Sequence, residues 1–600
     1  MSYICGSTVS EELVNQFIKR QEAYNDSIDN SINKKYANLN KGYFHKMNYA
    51  TCEMSFNHNY CRTYKQDNCL IIFDGRLYDR STHDDLSSEQ FILELYLKNR
   101  DTNFLEKLNG DFCFCIFDAD KNKIICVRSP FGIRPFYYSL RHNGFSFASN
   151  LEQLVDINYM SQEINEESLS RYIINYLHRP SISRLSCTPY HNVFKLQPGH
   201  VLIYENGNRR VSEYWRPNIK CLNLNETEIS DMFKKLMITS VKERIKDIDK
   251  KINVSFSGGL DSSTVVYILH ELSKEQSLPP VLLNHQVYDE TGNELHYAQY
   301  GSNHTGFPLN IQYMDKKSDT WLFKDFEPIR KDILPNFAVL TGGYSKESTD
   351  KDIENLFSSS LTGCGGDHIL CGHPFYLASY LRRFRLVKAM RQTRIHAQNA
   401  NMDFAATFMK YALKPNFKFV TFKDRATIDL SSYMGEKFNR ELIEDLRIKK
   451  ISEDLSVQDD YENLLLTDQW SDIGSSTFDT RHPFMDQRLV DFCFSIEGQY
   501  RFNGERDRVI QRIAMTGIVG DKILRRKDKG SNLASNTNGV KREWSNLEKY
   551  FDHFYLEKLG FLRKGTIEML LNRIRIGVSH GAADALRIIT LEFWLQSFME

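Results

Sequence analysis

Seven residues, Ser257-Gly258-Gly259-Leu260-Asp261-Ser262-Ser263, lie between an apolar strand pattern at 252–256 and an apolar helix pattern at 264–272. A second strand pattern, PVLLNHQVYD (280–289), follows. Strand, glycine turn, helix and strand at this spacing form a βαβ unit, which predicts a parallel sheet with helices on both faces. Two glycines after a strand let the backbone turn sharply. They aim N–H groups and hydroxyls at the positive end of the following helix, which makes an anion site. The loop lacks the GxxxxGK[ST] pattern and the dinucleotide fingerprint, so neither of those phosphate-binding modes applies.

Upstream, the period of the pattern changes. DFCFCIFDADKNKIICVRS (111–129) alternates, breaks at Asp118–Lys123 and resumes, as a hairpin does. FYYSLRHNGFSFAS (136–149) and HVLIYENGNRRVSEYW (200–215) repeat this around Asn143-Gly144 and Asn206-Gly207. SSEQFILELYLKN (87–99) reads as a helix among them. The expectation is an α+β domain with antiparallel sheets over 1–215 and an α/β domain over 216–600, mostly helical after about Asp367. The latter opens on an apolar stripe formed by Ile229, Phe233, Leu236, Ile238 and Val241.

Six hundred residues exceed one core. The 77 Lys+Arg balance 77 Asp+Glu, which argues against a dedicated nucleic-acid binder. There is no apolar run of membrane-spanning length, and MSYICGSTVS has neither the basic nor the apolar region of a secretory signal. The 12 Cys lack CxxC spacing, and Cys113 and Cys115 alternate as same-face strand residues do. Buried reduced thiols in a cytoplasmic protein are expected, and zinc is not.

SGGLDSS resembles the pyrophosphate-binding loop (PP-loop) of the ATP pyrophosphatases, which cleave ATP to AMP and pyrophosphate. FDGRLYDR, EKLNGDFCFCIFD, RSPFGIRPFYYS, FSFASNLEQLV and PGHVLIYENG look like blocks of the glutaminase-type, Ntn-type N-terminal domain of class B asparagine synthetases. VSFSGGLDSS, LTGCGGDHIL, RHPFMDQRLVDFCFSI and LRRKDKGS look like blocks of their synthetase domain, in the same order. The resemblance implies that ATP and Mg²⁺ are used. Asp261 and Asp367 would hold the metal, and Ser257, Gly258, Gly259, Leu260, Ser262 and Ser263 the pyrophosphate. Phe256, Val287, Thr362 and Gly363 would contact adenosine, although ordinary strand burial accounts for Val287 equally well.

Two departures turn this reading away from asparagine. Ser2 stands where the family's glutaminase has its nucleophilic cysteine, and HKMNYATCEM (45–54) replaces the block that grips a glutamine carboxylate. Cys364 replaces the first glutamate of the family's SGEGSDE loop, which here reads Thr362-Gly363-Cys364-Gly365-Gly366-Asp367. Relatives with such changes include the β-lactam synthetases and the lasso-peptide cyclases. The GGD spelling and the DKG block look most like the cyclases, which adenylate a side-chain carboxylate and let an intramolecular amine attack it. That resemblance implies a precursor peptide as substrate, with a leader-binding protein and a leader peptidase as partners. An asparagine-forming amidotransferase, a β-lactam synthetase-like ligase and a catalytically dead scaffold are the rivals.

A basic block supplies the last candidates. Residues 501–542 hold eleven Lys/Arg against four Asp/Glu. The family places a catalytic lysine here. Lys529 fits a DKG alignment and Lys527 an RxK alignment, and the two stay open. Residues 381–394 carry six basic residues and no acid, the pattern of a solvated helix face or of a face for an acidic peptide. His178, His285 and His373 carry no spacing signal.

Overall fold

The computed structural model describes residues 2–8, 37–54, 61–78, 86–140, 144–155, 186–220, 224–287, 294–313, 359–417, 479–527, 533–551, 553–578 and 582–599, with a few isolated positions between them. Asn143, His178 and Lys529 lie outside the described residues.

The first half forms two six-stranded sheets. One has the order β10-β8-β9-β1-β3-β2, from Val193–Lys195 (β10), Tyr137–Ser139 (β8), Ser146–Ala148 (β9), Ser2–Ser7 (β1), Met47–Met54 (β3) and Ala37–Phe44 (β2). The other has the order β12-β11-β7-β6-β5-β4, from Asn208–Glu213 (β12), His200–Glu205 (β11), Lys123–Arg128 (β7), Gly110–Asp118 (β6), Cys69–Leu77 (β5) and Cys61–Gln66 (β4). All of their pairings are antiparallel. Period-2 alternation sorts their side chains between layers. Ile4, Tyr49 and Phe147 pack against Leu70, Ile72, Cys113 and Cys115 between the sheets. Phe112, Phe114 and Ile116 face the opposite side, under helix Ser88–Asn99. Ser87 and Gln90 close a capping box that starts this helix. Cys113 and Cys115 do share a face, and burial pushes the Cys113 thiol well up.

Cys5, Ala50, Tyr137 and Ala148 point to the outer face of the first sheet. That face is covered by helices from the far end of the chain, through Leu571, Leu586, Phe593 and Trp594. The two halves therefore share a core.

The second half is built on a five-stranded sheet of order β15-β14-β13-β16-β19, from Leu309–Tyr313 (β15), Val281–Val287 (β14), Ile252–Ser255 (β13), Ser359–Leu361 (β16) and Asp479–Arg481 (β19). All four pairings are parallel. A separate two-stranded ladder joins Val420–Thr421 (β17) to Ile448–Lys449 (β18). From β13 the chain adds β14 and β15 on one side and then β16 on the other, so the strand order reverses between β13 and β16. In open parallel sheets the ligand crevice lies outside the carboxyl ends of the strands at such a reversal.

Two expectations need correction. The helix after β13 runs Leu260–Glu275, starting four residues before the apolar pattern does. Gly259 is its N-cap, and Ser263 N–H donates to the Gly259 carbonyl at 3.0 Å, so Leu260 to Ser263 form its first turn. In helix Glu226–Ile245, Met237 is buried with Ile229, Phe233 and Val241, whereas Leu236 and Ile238 are only partly covered. Among the described residues the chain after Asp367 is mostly helical, as expected, with the three-residue strand β19 returning to the sheet.

Candidate active site

The site is assembled where β13 and β16 end. After Ser255 the chain passes Phe256, whose N–H donates to the Asn284 carbonyl at 2.8 Å, and turns at Gly258 with φ +77°. A Cβ at Gly258 would lie 2.8 Å from Ala298 N, so glycine is needed for both conformation and space. Ser257 Oγ lies 3.1 Å from Ser262 Oγ and accepts from Gly259 N–H at 3.2 Å. The loop thus presents paired hydroxyls at the start of a sixteen-residue helix, where unpaired N–H groups and the helix dipole favour an anion. Ser263 lies behind that mouth: it is fully buried, and its hydroxyl makes no hydrogen bond among the described residues. Phe256 and Val287 are buried, and the Phe256 ring lies against Gly301.

The second loop leaves β16 at Thr362. A Cβ at Gly363 would come within 2.6 Å of Ser262 N, and one at Gly366 within 2.6 Å of Asp261 Cγ. These glycines let the two loops touch. Thr362 N–H donates to the Arg481 carbonyl at 3.1 Å, and its hydroxyl lies 2.7 Å from His482 Nδ1. Burial pushes the His482 pKa down to about 4, so the ring is neutral at pH 7. Cys364 is also enclosed, and desolvation pushes its thiol up to about 11. The thiol is therefore uncharged near neutral pH.

Asp261 and Asp367, from the two loops, meet at Arg508. Arg508 Nε donates to Asp261 Oδ1 at 2.8 Å, and Nη2 donates to Asp261 Oδ2 at 3.0 Å and to Asp367 Oδ1. Among the described residues no group of three or more metal-ligating side chains exists. Two convergent carboxylates nevertheless fit Mg²⁺ entering with a nucleotide, because that ion takes one or two carboxylates plus phosphate oxygens and water.

The basic block divides under inspection. Arg526 is buried, donates to the Gly258 carbonyl at 3.2 Å and to Glu294, and lies 4.1 Å over the Tyr297 ring. Lys527 is largely exposed, and its ammonium pairs with Glu505 at 2.6 Å. The structure thus brings Ser257, Gly258, Gly259, Asp261, Ser262, Thr362, Gly363 and Asp367 together, with Lys527 on the rim. Sequence reasoning missed Arg508, Arg526 and His482. Both arginines lie inside the basic block, but nothing in their spacing separates them from solvated neighbours. In the other basic stretch, Arg385 and Lys388 are engaged by Glu497 at 3.2 and 2.6 Å. His285 is buried on the Phe256 carbonyl, and His373 stacks on Phe375.

A family model described as Asparagine synthase matches residues 232–596, and one described as Glutamine amidotransferase domain matches residues 67–215. The chain belongs to the asparagine synthase family. It is 22% identical over 508 residues to Asparagine synthetase (glutamine-hydrolyzing) 3 of Bacillus subtilis, covering 78% of this chain and 75% of that one. It is 24% identical over 343 residues to Amidase chry2 of Gibberella zeae, covering 53% and 49%. It is 22% identical over 357 residues to Asparagine synthetase (glutamine-hydrolyzing) of Rattus norvegicus, covering 52% and 57%. The matched stretch spans from about half to three quarters of the length of these curated relatives.

Proposed function

We propose that this chain is an ATP-dependent amide ligase forming AMP and pyrophosphate, with a PP-loop synthetase domain over 216–600 behind a glutaminase-like domain over 1–215. The observation that carries the reading is the convergence of Asp261 and Asp367 beside the Ser257–Ser262 hydroxyl pair at the strand-order reversal. A carboxylate is a poor acyl donor because its oxygen is a bad leaving group. One of its oxygens attacks the α-phosphorus of ATP, the bond to the β-phosphate oxygen breaks, and pyrophosphate departs into the glycine loop. Mg²⁺ held by Asp261 and Asp367 would offset the repulsion between the two anions. An amine then attacks the acyl carbon, loses a proton and expels AMP.

The finer reading is a lasso-peptide cyclase. The acyl donor is an Asp or Glu side chain of a precursor core peptide, the amine is that peptide's N-terminus, and the product is an isopeptide macrolactam. Cys364 supports it: a neutral thiol stands where the family's loop carries a glutamate, so no carboxylate at that position serves an ammonia nucleophile. Ser2 in place of the glutaminase cysteine points the same way. A leader-binding protein and a leader peptidase are the partners this chemistry requires, since the amine must be uncovered before the ring closes. Free cysteines suit the cytoplasm. Among the described residues no helix is long and apolar enough to cross a membrane.

ATP–pyrophosphate exchange separates the readings. Exchange should require an Asp/Glu-containing peptide, and the N-acetylated peptide should support exchange without ring formation. Glutamine should yield no glutamate. Exchange with free aspartate together with glutamine hydrolysis would make the chain an asparagine synthetase. Exchange with a small β-amino acid would indicate a β-lactam synthetase-like ligase, and no AMP from any carboxylate would indicate a scaffold.

A further inference from the structure

The arrangement around Arg508 points to a role that the sequence reading did not contain. The geometry points to Arg508 as a tethered counter-cation that occupies the metal position in the nucleotide-free protein, so that the divalent ion binds tightly only together with nucleotide. This rests on the reading of Asp261 and Asp367 as metal ligands.

The guanidinium reaches three carboxylates. Besides Asp261 and Asp367, its Nη1 donates to Asp507 Oδ2 at 2.5 Å. The side chain of Arg508 is only 9% exposed, against 14% for Asp261 and 49% for Asp367. Its backbone is equally fixed: φ is +54°, and its N–H donates to the Leu370 carbonyl at 3.2 Å. A left-handed φ is unfavourable for a non-glycine residue and persists where the surroundings enforce it. Arg512 also lies nearby, 3.8 Å from Asp507. The planar fork of a guanidinium holds one carboxylate bidentately while bridging to a second, a geometry that the single nitrogen of a lysine does not reproduce.

Consider the exchange of this cation for a metal. Without either, Asp261 and Asp367 lose the cation that their oxygens share. If a divalent ion enters alone, the oxygens of Asp261 and Asp367 turn to it, and a nearly enclosed guanidinium keeps only Asp507. Stripping a buried charge of its partners is strongly unfavourable. A triphosphate changes the balance. It brings negative oxygens into the same space, and guanidinium–phosphate pairs are among the stronger charge-assisted hydrogen bonds. Metal and nucleotide thus favour each other through Arg508, and thermodynamic linkage makes the coupling reciprocal.

The test uses the full chain, Mn²⁺ as the probe and α,β-methylene ATP, with no peptide present. Protein-bound Mn²⁺ is read by water-proton relaxation, so that metal on free nucleotide is distinguished. The unsubstituted protein should bind Mn²⁺ at least tenfold more tightly with the analogue than without it. Arg508→Gln should bind Mn²⁺ alone at least tenfold more tightly than the unsubstituted protein, with the nucleotide effect reduced to about threefold or less. Its melting temperature should rise with Mn²⁺ by more than that of the unsubstituted protein. Arg508→Lys, which keeps a charge, should fall between, and it carries the test if the glutamine variant does not fold. Unchanged Mn²⁺ affinity in a folded variant would overturn the role of Arg508 while leaving the metal site in place. If no protein binds Mn²⁺ with the analogue, the assignment of Asp261 and Asp367 falls, and the inference falls with it.

Discussion

Arg526 donates to the carbonyl of Gly258, joining the basic block to the glycine loop across 268 residues of sequence. The same guanidinium pairs with Glu294 and lies over the Tyr297 ring, so three contacts fix it. The carbonyl it holds belongs to the residue with φ +77°, where the loop turns toward its helix. Arg526 is therefore a positioning residue for the glycine loop.

Arg526→Ala should slow ATP–pyrophosphate exchange by about 10²-fold, since misplacing a phosphate-binding loop by an ångström costs roughly that much. Stability should fall by about 2 kcal/mol, because Glu294 loses its guanidinium while keeping some exposure to water. Glu294→Gln keeps the Gly258 contact and should affect exchange far less than Arg526→Ala. A wild-type exchange rate in a folded Arg526→Ala protein would remove the positioning role.

The neighbouring lysines should behave differently. Lys527 is two-thirds exposed, and its pair with Glu505 is a rim contact. Lys527→Ala should change stability by less than about 0.5 kcal/mol and both half-reactions by less than about threefold. Lys529→Ala should slow amide formation more than exchange, by ~3 kcal/mol, the size of loss that removing one donor to an oxyanion produces. A large loss of amide formation in Lys527→Ala, with Lys529→Ala unaffected, would reverse the assignment.

The neutral His482 beside Thr362 sets a pH dependence. Burial lowers its pKa from 6.5 to about 4 in the folded protein, so between these values the unfolded chain binds the extra proton. Stability contributed by this ring is therefore complete above pH ~6.5 and lost as pH falls toward 4, on the order of 3 kcal/mol over the window. Urea denaturation at about pH 4.5 and 7 should show a smaller difference between the two conditions in His482→Gln than in the unsubstituted protein. Equal differences would mean that His482 does not titrate with folding.

The sequence carried the architecture better than the site. The hairpins were legible because Cys113 and Cys115 pack on one side while Phe112, Phe114 and Ile116 pack on the other, and alternation survives as pattern. SGGLDSS was legible because glycine, hydroxyl and carboxylate are all needed within one turn. The partners of the site residues were not, since Arg508, Arg526 and His482 come from 120 to 268 positions away from the residues they contact. Their burial is created by packing, and no local spacing announces it. The strand Asp479–Arg481 was missed for a related reason: three polar residues, too few to display a period, are ordered by the strand beside them.

The last prediction concerns how the two halves are held. Arg76, on β5, pairs with Asp479 on β19, and Arg134 approaches the same carboxylate at 3.4 Å. Arg481 Nε donates to its other oxygen at 2.9 Å. Burial pushes the Asp479 carboxyl up, but Arg76, Arg481 and Arg134 together outweigh it and hold the pKa well below the usual carboxylate range. The stability from this depressed group is complete above its unfolded value of 3.8 and is lost only as pH falls through the folded one, so it is constant near neutrality. Arg76→Met should cost about 3 kcal/mol, because it strips a partner from an enclosed charge. Asp479→Asn should cost a comparable amount, since it leaves three cations facing one another. The double variant should cost less than the two singles combined, with a coupling of about 1–3 kcal/mol. The Arg481 carbonyl accepts from Thr362 N–H at 3.1 Å, so loosening β19 should also raise the KM for ATP more than it lowers kcat. Additive losses with an unchanged KM would mean that Arg76 and Asp479 hold their own sheets and do not join the halves.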